Sequence, residues 1–131
     1  MTPGKKFFQE HMEYVARKDF AGMVNDTYTE DVIFYHNFPF FPGNPPYIFR
    51  GKEETIRAES TIFDPKNQGQ ISAGEPFNFV ENKDFIGFQI IVTSPNTGKW
   101  LITDAWVLRN GKIAVYYAMG YKLEEAPKQK G

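Results

Sequence analysis

No cysteine occurs in the 131-residue chain, which excludes disulfides, thiol catalysis and thiolate-held metal sites. Histidine is scarce as well: there are two, neither with an acidic partner at ligand spacing, so no metal site is expected. Neither sign of charge is in excess. Fifteen Lys and Arg stand against sixteen Asp and Glu, with no basic run before the tail, which argues against an electrostatic nucleic-acid binder. No apolar stretch approaches the ~20 residues of a membrane-spanning helix, and no signal-peptide pattern opens the chain. These absences lead to the expectation of a cytoplasmic, single-domain protein whose partner is small, uncharged and hydrophobic, with no nucleic acid and no membrane involved.

Aromatic side chains are what the sequence has in plenty. They make up 17% of residues, with thirteen Phe, more than an ordinary core of this size needs, and they point to a pocket or an interface.

The hydrophobic spacing divides the chain into helices followed by strands. Gly4 to Lys18 fits a helix with Phe8, Met12 and Val15 on one stripe and Tyr14 beside it. Asp19 opens a shorter helix ending near Thr27, and Lys52 to Phe63 reads as a third, marked by Ile56 and Ile62 and ended by Asp64-Pro65. Between the last two lie a short β run, Val32 to His36, and a loop over 37–46 in which four prolines and a glycine forbid regular structure. Beyond Gln70 the pattern changes to strands at Ile71–Val80, Phe85–Thr93, Lys99–Arg109 and Ile113–Tyr121, separated by turn signals that include Asn110-Gly111. The expected fold is α+β: a curved antiparallel sheet wrapped around three N-terminal helices to make a cone with a mouth. Residues 1–123 are expected to form the domain, with 124–131 a loose charged tail.

Asp104 is the most informative residue. It stands in Trp100-Leu-Ile-Thr-Asp-Ala-Trp-Val-Leu108, where alternation puts it on one face with Trp100, Ile102, Trp106 and Leu108. A carboxylate among such neighbours is costly unless it is paired or protonated, and a protonated carboxyl is a hydrogen-bond donor. The same residue type also caps bulges or meets water in a gap, so the position alone leaves both readings open.

The layout resembles the nuclear-transport-factor-2-like (NTF2-like) superfamily, in particular its SnoaL-like and ketosteroid-isomerase-like branches. The resemblance is carried by Tyr14-Val15-Ala16, Asp19-Phe-Ala-Gly-Met-Val24, Tyr28-Thr-Glu-Asp-Val-Ile-Phe34, Phe49-Arg-Gly-Lys-Glu53, Asp104-Ala-Trp-Val-Leu-Arg109 and Gly111-Lys-Ile113. It implies that Tyr14 and Asp104 donate hydrogen bonds to a substrate oxygen; a neutral aspartic acid in this role is known from ketosteroid isomerase. The family's general-base aspartate is replaced here by His36, which accepts a proton near neutral pH. Phe34, Phe38, Phe41, Tyr47, Phe63, Trp106 and Tyr117 are the candidate ligand-binding rings, with the 37–46 loop either a lid over the cone or a dimer contact. His11, one turn before Tyr14, is within reach of the cone's interior by i, i+3 geometry but is read as solvent-facing or supporting, and Glu53, Glu54 and Arg57 are read as surface charge.

Two functions fit. One is a cofactor-free enzyme that moves a proton on a small hydrophobic carbonyl compound, by isomerisation or a related cyclisation or dehydration. The other is a noncatalytic protein of the same fold that binds an apolar ligand or serves as an accessory subunit. The resemblance also implies a homodimer formed through the outer sheet face, where Phe88, Trp100 or Trp106, Tyr116 and Tyr117 would supply aromatic area.

Overall fold

A computed structural model describes residues 1–128. Local chemistry starts the first two helices where the sequence marks them. The Thr2 side chain accepts from the Lys5 N–H and a proline occupies the first turn of α1 (Pro3–Ala16), while Asp19 accepts from the Gly22 N–H at the start of α2 (Phe20–Thr27). Then come β1 (Tyr28–His36), β2 (Tyr47–Arg50), α3 (Gly51–Ile62), the single turn α4 (Pro65–Gln68) and β3 (Ser72–Ala73). The remaining strands are β4 (Phe77–Asn82), β5 (Phe85–Ser94), β6 (Gly98–Arg109) and β7 (Lys112–Glu124).

The strands form one curved, unclosed sheet in the order β2-β1-β7-β6-β5-β3, with β4 also pairing β5. Tight turns fix the register of its long hairpins. Asn110 and Gly111, at φ 54° and 76°, join Arg109 to its partner Lys112, the left-handed pair that suits the twist of a two-residue hairpin. The meander is therefore as expected, but three features depart from the sequence reading. Tyr47–Arg50 is a strand antiparallel to β1, the stretch read as Ile71–Val80 is two short strands, and β1 pairs β7 in parallel. The last has no local signal, because it joins the first long strand to one some eighty residues later.

The helices cover the concave face, and the core lies between. Trp106, Tyr28, Phe34, Met23, Ile86 and Ile113 are fully buried there. The Phe8 ring meets Phe88 edge-on at 4.7 Å, so α1 is held to β5 by aromatic contact. Along β6 the alternation holds: Ile102, Asp104 and Trp106 are buried while Thr103 and Val107 are exposed. This face assignment corrects the proposed dimer surface. Phe88, Trp100, Trp106 and Tyr116 all belong to the inner cluster, whereas the outer face carries Tyr117, stacked on Tyr35 at 4.9 Å, with Ile48, Val107 and Tyr121 exposed. Glu124 closes β7 and 125–128 have no regular structure; the rest of the expected tail, 129–131, lies outside the described residues. No helix among the described residues is long and apolar enough to cross a membrane.

Candidate active site

The β ladder delivers Asp104 into the cone between apolar partners, since its register neighbours are Phe88 on β5 and Ala118 on β7. It is 5% exposed. Burial raises its carboxyl to about 7, and the adjacent Tyr116 hydroxyl offsets part of that rise. Its Oδ1 has no hydrogen-bond partner, an expensive condition for a buried polar atom and one that a ligand would relieve.

A second acid faces the same space. Thr55, Ala58, Glu59 and Ile62 are the buried side of α3, so helical spacing turns Glu59 inward among small and apolar residues. The Tyr28 hydroxyl donates to its Oε1 at 3.0 Å and Oε2 is unpartnered. Burial lifts Glu59 to about 8; the Tyr28 bond opposes this and the nearby Asp104 charge adds to it. Each carboxyl thus has a tyrosine hydroxyl beside one end and a free oxygen at the other. Near neutral pH such a pair holds at least one proton, because two like charges in a dry site do not both form readily.

His11 completes the polar group. It is buried on α1, with its ring 4.5 Å from that of Trp106 and its Nδ1 unpartnered. Burial lowers its pKa to about 3, so it is neutral imidazole at any ordinary pH. His11, Glu59 and Asp104 share the wall of one cavity of about 120 Å³, the rest of which is mostly apolar: Phe34, Phe38, Phe63, Phe88, Ile90 and Ile102 among others. No group of three His, Asp or Glu side chains among the described residues is arranged to hold a metal ion.

Of the three catalytic candidates read from the sequence, only Asp104 lines this cavity. Tyr14 is one turn too far round α1: its hydroxyl donates to Asp26 at 2.6 Å on an exposed surface, the Arg17 guanidinium covers its ring at 4.9 Å, and the bond to Asp26 raises its pKa. His36 is fully buried, but behind the cavity rather than on it. Its Nδ1 accepts from the Phe38 N–H at 3.1 Å, and its ring lies against Phe41, Tyr47 and Phe49 at 4.7, 5.4 and 5.4 Å. Burial lowers it to about 4, so it serves there as a neutral anchor for the start of the loop.

The ring candidates divide similarly. Phe34, Phe38 and Phe63 line the cavity. Phe41 and Tyr47 are spent on the His36 cluster, Trp106 lies beneath His11 in the core, and Tyr117 points out of the sheet. The aromatic loop is tied down at its root, where the Asn37 side chain exchanges two hydrogen bonds with the Gly120 backbone at 2.9 and 2.7 Å. Of the loop, Phe38 and Pro39 reach the cavity wall. Glu59 is the residue the sequence does not single out, and His11, expected to be solvent-facing or supporting, lies on the cavity wall. A signal for Glu59 was present in its spacing from Thr55 and Ile62, masked by the run of charged residues around it.

No protein-family model matches the sequence, and no curated protein is significantly similar to it. Solved structures do match. An NTF2-like protein of unknown function from Burkholderia pseudomallei K96243 is 20% identical, with 90% of each chain covered and a TM-score of 0.68. A protein from Bacillus subtilis proposed to be an isomerase is 19% identical over 90% of this chain and 86% of its own, with a TM-score of 0.63. A proposed SnoaL-like polyketide cyclase from Jannaschia sp. CCS1 is 11% identical over 92% and 89%, with a TM-score of 0.65. The chain has the NTF2-like fold.

Proposed function

We propose that this protein is a cofactor-free enzyme that transfers a proton on a small hydrophobic carbonyl compound, with Asp104 as base and Glu59 as acid. The observation that carries this reading is the pair of buried carboxyls on one apolar cavity, raised to about 7 and about 8, each with an unpartnered oxygen. Asp104 ionises first, and its free oxygen accepts a proton from the carbon beside the carbonyl. The C–H electron pair becomes a C=C bond and the carbonyl π pair moves to oxygen. Glu59, still protonated, donates from Oε2 to that oxygen while Tyr28 holds Oε1. In a β,γ-unsaturated substrate, Asp104 returns the proton to the γ-carbon while the carbonyl re-forms and the oxygen gives its proton back to Glu59, which yields the conjugated isomer and restores both acids. Electrons are redistributed within the substrate, so no redox partner is consumed. Neutral His11 is a further polar contact for the substrate oxygen.

This assigns Asp104 the opposite role from the one the family resemblance implies. It is supported by the environments: of two acids in one dry site, Glu59 also sees the nearby Asp104 charge, which favours its protonated form, and leaves Asp104 as the carboxyl to ionise. An isomerase and a cyclase have both been proposed among proteins of this fold, and the reading accords with either.

The test uses a simple cyclic enone such as cyclohexenone in D₂O, with deuterium incorporation next to the carbonyl followed by NMR. The protein should accelerate incorporation, with the rate rising through pH 7. Asp104→Asn should reduce it by about two to four powers of ten, the usual worth of a general base. Exchange in Asp104→Asn at the parent rate would end this reading and leave a noncatalytic pocket protein.

We also infer that two copies pair through the outer sheet face. It is supported by the contiguous row Ile48, Tyr35 and Tyr117 across β2, β1 and β7, flanked by Tyr121 and Val107.

A further inference from the structure

The cavity holding the two acids is small. At about 120 Å³ it is close to the ~150 Å³ of a dry protein cavity that accepts a single benzene molecule. One ring with its carbonyl fills it, and a fused polycycle does not fit. Yet its outer wall is shared. Met12, Val15, Phe63, Ile71 and Ala73 line both this chamber and a second, wider hollow of about 560 Å³ that opens outward beside the end of α1. Those five apolar side chains form a collar between the two spaces. The outer space is in the size range of pockets that hold drug-sized ligands.

Its lining is apolar apart from Gln70 and Lys18, and Lys18 is the one charged side chain on it among the described residues. Lys18 follows α1 directly, in a left-handed conformation (φ 55°), and has no ion-pair partner among the described residues. Lys18 is thus the residue of this lining that offers an unpaired positive charge to an anion.

We propose that the substrate is bipartite: a single enolisable ring seated against Glu59 and Asp104, carrying an extended apolar chain that passes the collar into the outer hollow and ends in a carboxylate at Lys18. This rests on the proton-transfer reading for the ring and extends it to the rest of the molecule. A chain lying across the collar would separate the inner site from water in the open hollow next to it. Compact polycyclic carbonyl compounds are excluded by the chamber and gain nothing from the hollow.

Phenols serve as probes, since a phenol presents one ring and an enol-like oxygen. Dissociation constants are measured by calorimetry for phenol, 2-naphthol, para-alkylphenols of increasing length, and a long para-chain ended by either a carboxylate or its primary amide. Affinity should rise about fourfold per methylene once the chain enters the hollow, and 2-naphthol should bind no better than phenol. The carboxylate should bind severalfold tighter than the amide, a difference that Lys18→Gln abolishes. Ala16 is exposed and lines only the outer hollow, so Ala16→Trp fills that space without touching the chamber. It should leave phenol binding unchanged and remove the chain increment. Chains that add nothing, an increment that survives Ala16→Trp, or tighter binding of 2-naphthol would each overturn the bipartite substrate, and equal binding of carboxylate and amide would overturn its acidic end. If phenol itself binds equally well to Glu59→Leu, which removes the group held against its oxygen, the failure lies with the proton-transfer site instead.

Discussion

Raising the pH from 6.5 to 8 should destabilise this protein, against the habit of most proteins to be flat there. Four buried groups set the curve. Asp104 and Glu59 hold their protons to about 7 and about 8 when folded, against ordinary values of 3.8 and 4.5, so over those intervals the folded state binds protons that the unfolded chain has released. His11 and His36 do the reverse: lowered from 6.5 to about 3 and about 4, they stay neutral while the unfolded chain takes protons up. Stability rises with pH where the unfolded state binds more protons and falls where the folded state does. Between pH 4.5 and 6.5 two groups push each way, and the contributions nearly cancel. Above 6.5 the histidines drop out. Asp104 then acts over a further half unit and Glu59 over one and a half, which at about 1.4 kcal/mol per group and unit removes ~3 kcal/mol by pH 8. From pH 4.5 down to about 4 the two histidines outweigh Asp104, and below 3.8 His11 acts alone, so stability falls again towards pH 3. Urea unfolding followed by tryptophan fluorescence at pH 5, 6.5 and 8 measures this directly. The double variant Asp104→Asn, Glu59→Gln should keep its pH 6.5 stability at pH 8. A parent curve level from 6.5 to 8, or a double variant that drops as steeply as the parent, would mean that these carboxyls are not held neutral by burial.

Tyr14→Phe removes an exposed bond to Asp26 and should leave the unfolding free energy nearly unchanged, with the deuterium exchange rate unaltered; a hundredfold loss of exchange would place Tyr14 in the chamber after all. Gly120→Ala puts a methyl 3.0 Å from the Trp100 ring, 3.1 Å from Phe38 and 3.3 Å from Ile102, all chamber walls. It should cost about 1–3 kcal/mol by overpacking and weaken phenol binding, whereas unchanged affinity would show those walls yielding away from the ligand. Tyr117→Arg sets a charge in the middle of the outer face and should convert a dimer to monomer in sedimentation velocity. A parent protein that sediments as a monomer at all concentrations removes the pairing surface.

The sequence showed what depends on near neighbours. The alternation from Trp100 to Leu108 placed Asp104 inside because a strand's faces are fixed by parity, and Asn110-Gly111 marked its hairpin because left-handed backbone demands such residues. The strand Tyr47–Arg50 was hidden by the two prolines before it, since its pairing with β1 spans a loop without periodicity. For the site, the difficulty was rotation. Tyr14 and His11 are one turn apart on α1, and only the packing of Phe8 against Phe88 and Trp106 decides which looks into the cone. Glu59 was hidden among Glu53, Glu54 and Arg57, where composition suggested a wet face and spacing the opposite.

The parallel pairing of β1 with β7 affects how the chain is made. During translation Tyr28 to His36 leaves the ribosome long before Lys112 to Glu124, so one whole edge of the first long strand waits without its mate while nearly eighty residues are added. The carboxyl pair waits with it, because Tyr28 supports one acid and Tyr116 the other. A nascent chain arrested before residue 112 would therefore carry its helices and hairpins but no sealed hollow, and it would present Phe34 and Ile33 to whatever chaperone attends the exit tunnel.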